Sequence, residues 1–180
     1  RPDYDFARSA FHSHQLVREI VVGLKYARQM HWSPLLAHWL TLNFEDPRLG
    51  DIDDWIFVPI PIHSAKKRER HFNQAEEFCK ILAKTKNIRW IPALRRKEHV
   101  PPQAGLEREE RLTNLKNVFA MSRLKSRRTP IEGAKVLLVD DVLTTGTTIN
   151  ECAKVLKDEG EAFKVAAITI ARAGPLPPGA

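Results

Sequence analysis

Apolar residues at Val17, Ile20, Val21, Leu24 and Ala27 recur at the spacing of one helical face, which predicts a helix from about His14 to Met30. Ser33-Pro34 then starts a second helix through Leu42, with Pro34 suited to a first-turn position where its missing N–H costs nothing. The next stretch, Asn43 to Asp53, is polar, carries Pro47 and Gly50, and reads as a loop. From Trp55 the pattern changes to a short, continuously apolar run ended by prolines, as in a strand buried on both faces. Ala75, Phe78, Cys79 and Leu82 return to helical spacing, and Ile88 to Leu94 reads as another strand. Strand, helix and strand at this separation predict a right-handed βαβ unit and a parallel sheet.

Arg95 to Asn117 breaks that rhythm. It is highly charged, holds Pro101, Pro102 and Gly105, and is expected to leave the sheet as a long arm with a short helix near Glu107 to Leu115. After a basic stretch, Arg123 to Arg128, a strand is predicted at Lys135 to Val139, a helix at Thr148 to Glu159 closed by Gly160, and a strand at Phe163 to Ile170. The whole is expected to be one α/β domain over 1–180, with a helical segment at about 10–45 and a core at about 54–172 that includes the arm at 96–118. A length of 180 residues with 43% hydrophobic content suits one core rather than two.

Composition narrows the chemistry. There are 29 basic and 22 acidic residues, a formal charge of +7, so the surface attracts polyanions: nucleic acid, a small substrate with several phosphates, or merely solvent. No run approaches the roughly 20 apolar residues that span a bilayer, and Arg1 to Phe11 lacks the apolar core of a secretion signal; a cytoplasmic protein without membrane insertion is expected. Cys79 and Cys152 have no Cys-x-x-Cys spacing and fall on apolar helix faces, and the histidine pairs His12/His14 and His31/His38 lack acidic or sulfur partners at zinc spacing. No zinc is expected in this chain.

The chemistry-bearing segment is Val136 to Thr148, Val-Leu-Leu-Val-Asp-Asp-Val-Leu-Thr-Thr-Gly-Thr-Thr. Two acids stand at the carboxyl end of a buried strand, and a Thr/Gly turn opens a helix whose apolar face is Ile149, Cys152, Ala153 and Leu156. Such a turn aims several backbone N–H groups at one phosphate, with Gly146 permitting close approach and the Thr hydroxyls adding donors. Asp140 and Asp141 would repel that phosphate and are better suited to accept hydrogen bonds from a sugar diol. Taken singly, Asp-Asp could be a metal site and the threonines an ordinary helix cap; the ordered combination favours phosphate and sugar. No Gly-Lys-Ser/Thr follows, so this is not a nucleotide triphosphate loop of that type.

These thirteen residues resemble the phosphoribosyl pyrophosphate (PRPP) signature of type I phosphoribosyltransferases. The resemblance implies that Asp140 and Asp141 bind the ribose hydroxyls and that Thr144, Thr145, Gly146, Thr147 and Thr148 bind the 5-phosphate. It also implies the fold: a central parallel sheet flanked by helices, with a helical N-terminal hood and a flexible arm. Val58-Pro59-Ile60-Pro61, followed by Arg68-Glu69-Arg70-His71-Phe72-Asn73-Gln74-Ala75, is similar to a pattern of the competence protein F (ComF/GntX-like) family. So are Gln103-Ala104-Gly105-Leu106 with Arg108, Arg111, Asn114 and Phe119, and Leu24-Lys25-Tyr26. The similarity runs from about Ala10 to Arg172. His71 stands where the family usually has glycine, and members often carry a four-cysteine zinc finger ahead of the fold, which these 180 residues lack.

A pyrophosphate leaving group needs cations and amide donors between the first strand and its helix. Lys66, Lys67, Arg68 and Arg70 could supply the charge and Asn73 and Gln74 the donors; a solvated basic turn is the plain alternative. The arm, with Gln103, Arg108 and Arg111, would close over the ligand, or else form a surface helix tied by Glu107 and Arg111. Lys25 and Tyr26 mark the hood as the place for an accepting base. Transfer would displace pyrophosphate from ribose C1 through an oxocarbenium-like state, with Mg²⁺ chelated by PRPP and no nucleophile required. The resemblance further implies a link to DNA uptake and natural transformation, with other competence proteins as partners, and the basic segments Lys66 to Arg70, Arg95 to Lys97 and Arg123 to Arg128 predict salt-sensitive, sequence-tolerant binding of single-stranded DNA. Nucleobase salvage and a non-catalytic factor that senses PRPP or a nucleotide are the alternatives. Phe72, Tyr26 and Trp32 are the aromatic candidates for contact with bases, while Trp55 and Trp90 read as core.

Overall fold

The computed structural model describes residues 2–12, 19, 23, 30–97, 118–122 and 131–173. In chain order these form strand β1 (Phe6–His12), helix α1 (Ser33–Leu40), strand β2 (Trp55–Pro59), helices α2 (Ser64–Arg70) and α3 (Gln74–Lys86), strands β3 (Leu94–Arg96), β4 (Phe119–Met121) and β5 (Lys135–Leu143), helix α4 (Thr147–Asp158) and strand β6 (Lys164–Arg172). The larger sheet has the order β1-β6-β5-β2 and all of its pairs are parallel. β3 and β4 make a separate antiparallel pair.

The sheet is buried on both faces, which explains its unbroken apolar runs. Alternate residues sort into two clusters. Phe57, Leu137, Val139 and Ile168 pack with Leu36 and Leu40 of α1 and with Phe78 and Leu82 of α3. Ile56, Val58, Val136, Leu138 and Val165 pack with Ile149, Cys152 and Leu156 of α4. Each large side chain buried here contributes about 1.5–3 kcal/mol. Cys79 and Cys152 are free and fully buried within these clusters, and burial pushes both thiols up from their ordinary range.

Several expectations need correction. β1 had no counterpart in the sequence reading, yet it pairs with β6 in register from Phe6↔Ala166 to His12↔Arg172. The strand expected over Ile88 to Leu94 is reduced to a parallel bridge between Phe57 and Trp90, after which the chain turns into β3. Pro92 has no N–H to continue a ladder. The polar stretch after α1 is a five-residue 3-10 helix, Thr41–Glu45, rather than open loop. There Asn43 is fully buried and donates to the Leu40 and Thr169 carbonyls. Beside it the Arg48 guanidinium, donating to both oxygens of Asp46, holds that buried carboxyl far below the usual range. The helix expected at His14 to Met30, apart from Glu19, Gly23 and Met30, the helix expected at Glu107 to Leu115 and the basic stretch Arg123 to Arg128 lie outside the described residues.

Candidate functional site

Register places the site. Pro59 of β2 is level with Val139 of β5, and the Ile60 N–H donates to the Val139 carbonyl at 3.0 Å. The chain leaving β2 therefore runs beside Asp140 and Asp141. β5 itself continues to Leu143, so the two acids lie within the strand rather than just past its end as expected. Asp141 is buried, and its N–H donates to a carboxylate oxygen of Asp140 at 2.8 Å.

After β5 the chain turns through Thr144 to Gly146 into α4. Gly146 is the residue before the helix, with φ +80°, a left-handed conformation that a side chain would oppose. The hydroxyls of Thr145 and Thr147 lie 2.9 Å apart, bracing the turn. On the facing side, α2 is capped by His63, whose Nδ1 accepts from the Ala65 N–H at 3.1 Å, and ends at His71 with φ +67°. The position at which the family pattern has glycine is thus a left-handed one, adopted here by histidine. Asn73 then caps α3: its Oδ1 accepts from the Ala75 N–H at 3.2 Å, and its Nδ2 donates to the Ile60 carbonyl at 3.0 Å.

These elements enclose a cleft of about 380 Å³ lined by Asp140, Asp141, Thr144 and Thr148 on one side and Lys66, Arg70, Asn73 and Gln74 on the other. Gln74 is 3% exposed, and its Nε2 has no hydrogen-bond partner among the described residues. A buried amide donor left unmade costs about 1–3 kcal/mol, so its place in the wall of a polar cleft is meaningful.

The other expected residues divide. Thr145, Gly146 and Thr147 shape the turn but do not line the cleft. Asn73 has both side-chain polar atoms engaged with backbone and serves as the joint between β2 and α3. Lys67 turns the other way: it pairs with Glu76 at 3.3 Å and lines a second cleft of about 400 Å³ with Ser64, Pro61, Pro92, Leu94 and Arg95. Arg68 lines neither cleft. Phe72 is core, 7% exposed and packed in the α1/α3 cluster, and is not available to a base; Trp55 is core as expected. Gln103, Arg108, Arg111, Lys25 and Tyr26 lie outside the described residues. Two contributors were missed. His63 and Arg96 both line the polar cleft, Arg96 reaching it from β3 with its guanidinium over the Phe119 ring. Arg96 belongs to a basic run expected to bind nucleic acid and to begin the arm, and the sequence carries no local signal that turns it toward this cleft.

The phosphoribosyl transferase domain family matches residues 95–178. Competence protein F of Haemophilus influenzae is 36% identical over 109 residues, covering 57% of this chain and 44% of that protein. The DNA utilization protein YhgH of Escherichia coli is 30% identical over 147 residues, covering 79% of this chain and 62% of that protein. Competence protein ComFC of Bacillus subtilis is 28% identical over 118 residues, covering 66% of this chain and 45% of that protein. The chain therefore spans about half to three fifths of the length of these curated relatives. With an α/β parallel sheet, an acid pair and a Thr/Gly turn before a helix N-terminus, the chain is similar to the phosphoribosyl transferase domain family and to proteins of the competence protein F type.

Proposed function

We propose that this chain binds PRPP in the cleft between the β5–α4 turn and α2, and that it serves DNA uptake as its relatives' names suggest. The observation that carries the reading is the opposition across one cleft of an acid pair, Asp140 and Asp141, and a cationic wall of Lys66, Arg70 and Arg96, with Gln74 in the same wall. PRPP needs that division. Its ribose hydroxyls donate to carboxylates, its 5-phosphate accepts from the amides at the start of α4, and its pyrophosphate accepts from Lys66, Arg70, Arg96 and the Gln74 amide. Among the described residues Asp140 and Asp141 are the only acids lining the cleft, too few to hold a divalent cation unaided, so Mg²⁺ is read as arriving chelated by the pyrophosphate. Once bound it would offset charge on the departing group. The protein's own part in a transfer at C1 is to fix the ring through Asp140 and Asp141 and to stabilise the leaving pyrophosphate with the α2 cations.

A calorimetric titration of PRPP with Mg²⁺ tests the site. Changing both Asp140 and Asp141 to Asn should weaken binding by about 2–3 kcal/mol, roughly a hundredfold. Equal affinity in the variant would remove the site from this cleft.

The same reading extends to single-stranded DNA. The exposed cations Lys66, Lys67 and Arg68 of α2 lie near Arg95 to Lys97, and such a surface favours salt-sensitive binding tolerant of sequence. Log affinity should fall with log salt by about 0.7 per phosphate contact, and a Lys66/Lys67/Arg68→Glu variant should flatten the slope in an anisotropy titration. No binding by the unmodified protein at low salt would defeat this part of the reading and leave the PRPP site untouched.

A further inference from the structure

The turn before α4 is buttressed from the other end of the chain. The Asp3 N–H donates to Oδ1 of Asn150 at 2.7 Å, and Nδ2 of Asn150 returns a hydrogen bond to the Asp3 carboxylate at 3.0 Å. Two residues on, the Asp5 N–H donates to the Val165 carbonyl at 2.7 Å, and the Val165 N–H donates to the Asp5 carboxylate at 2.9 Å. Lys157 of α4 completes the clasp at 3.2 Å from the same carboxylate. Four hydrogen bonds and an ion pair thus strap residues 3–5 across the first helical turns of α4 and the start of β6.

Tyr4 sits in the middle of this strap. Its ring packs against the cluster beneath α4, and its hydroxyl occupies the space beside Gly146: a Cβ on that glycine would meet the Tyr4 Oη at 3.0 Å. The hydroxyl has no hydrogen bond to the described residues. Neither Tyr4 nor Gly146 lines the polar cleft. Tyr4 therefore meets the turn at a residue outside the cleft's lining.

We propose that Tyr4 is a positioning residue for the phosphate turn: the N-terminal strap holds its ring and hydroxyl against Gly146 and so fixes the left-handed turn that aims the first amides of α4. This rests on the reading of that turn as the 5-phosphate site. The physical case is that a turn made of Thr, Thr, Gly and Thr has few side-chain atoms of its own to pack. Gly146 is the conformationally freest residue of the chain at that point. A bound phosphate accepts from several amides at once only while their directions are held within about 10–20°. A ring pressed on the glycine removes the slack without entering the site.

The two ends of the ligand can be tested separately, with ribose 5-phosphate and Mg²⁺-pyrophosphate as calorimetric probes of the full chain. Tyr4→Ala and Asn150→Ala should each weaken ribose 5-phosphate by about tenfold and leave pyrophosphate unchanged, because only the turn has lost its support. Tyr4→Phe, which keeps the ring, should recover affinity to within about threefold of the parent protein. The inference is overturned by Tyr4→Ala that binds ribose 5-phosphate normally. It is also overturned by equal weakening of both probes, the mark of general destabilisation, or by Tyr4→Phe no better than Tyr4→Ala, which would make the hydroxyl a direct ligand contact. Failure of the unmodified protein to bind either probe is a different result: it would remove the PRPP reading itself.

Discussion

Two clefts of nearly equal size, about 380 and 400 Å³, open on either side of α2, and they differ in what their cations face. Lys66 and Arg70, one helical turn apart, look into the polar cleft toward Asp140, Asp141, Thr144 and Thr148. Ser64 and Lys67, on the opposite face, look into a cleft walled by Pro59, Pro61, Pro92 and Leu94, and there Lys67 is paired with Glu76. Volume does not distinguish the two. What the α2 cations face does: Lys66 and Arg70 stand across a cleft from two carboxylates, whereas Lys67 is paired with Glu76. A run of basic residues in a sequence is thus divided by helical periodicity into groups with separate roles.

The sharpest way to separate the clefts is to disable the turn alone. Gly146→Val puts a β-branched residue at φ +80° and a Cβ against the Tyr4 hydroxyl, costing about 2 kcal/mol or more. The rise in melting temperature with saturating PRPP should vanish in this variant. A rise as large as that of the parent protein would place the ligand in the proline-lined cleft or elsewhere. Next in size is the contrast along α2 itself. Lys66→Ala and Arg70→Ala should each weaken Mg²⁺-pyrophosphate by roughly tenfold, the scale of one charge-assisted hydrogen bond, while Lys67→Ala changes it by less than about twofold. Equal losses at all three positions would mean that α2 acts as a diffuse basic surface.

A smaller effect is expected where α2 ends. His71 holds φ +67°, so His71→Gly should stabilise the fold by up to about 1 kcal/mol in denaturant unfolding, since glycine enters that conformation freely. A loss of stability would show that the contacts of the His71 side chain outweigh its backbone strain. Smallest is the pH response of the proline-lined cleft. Burial alone would raise the Glu76 carboxyl, but the ammonium groups of Lys80 and Lys67, at 3.2 and 3.3 Å, outweigh it and hold the carboxyl below its ordinary value. A carboxyl lowered by folding adds stability that is complete above its unfolded value, about 4.3, and is lost as pH falls below that. For a pair this exposed the contribution is no more than about 0.5 kcal/mol, so Glu76→Gln should flatten the acid limb of a stability–pH curve only slightly.

The parts that were legible in the sequence are those whose signal is local. β5, the turn and α4 carry a strand, a glycine and a helical face within one continuous run; α4 formed within one residue of its expected ends, and β5 began where expected and ran four residues further. β2 announced itself by five consecutive buried positions. α2 did not, because no residue in it is buried and a helix that is polar all round leaves no period to read. β1 was equally silent: only Phe6 is fully buried there, and its pairing partner is 160 residues away. In the site, Asp140, Asp141, Thr144 and Thr148 were found by motif and Lys66 and Arg70 by charge. Arg96 was not, nor was the contact of Tyr4 with the turn, since each depends on a tertiary contact, one from β3 and one from the strap at residues 3–5.

The two buried cysteines carry a practical consequence. Thiol chemistry runs through the thiolate, and a thiol that is both enclosed and raised in pKa offers almost none of it to a reagent. The folded chain is therefore its own blank for maleimide labelling. A single cysteine placed at an exposed position such as Lys97 would be the one reactive handle, and a fluorophore there would report events beside β3 without either native cysteine having to be replaced.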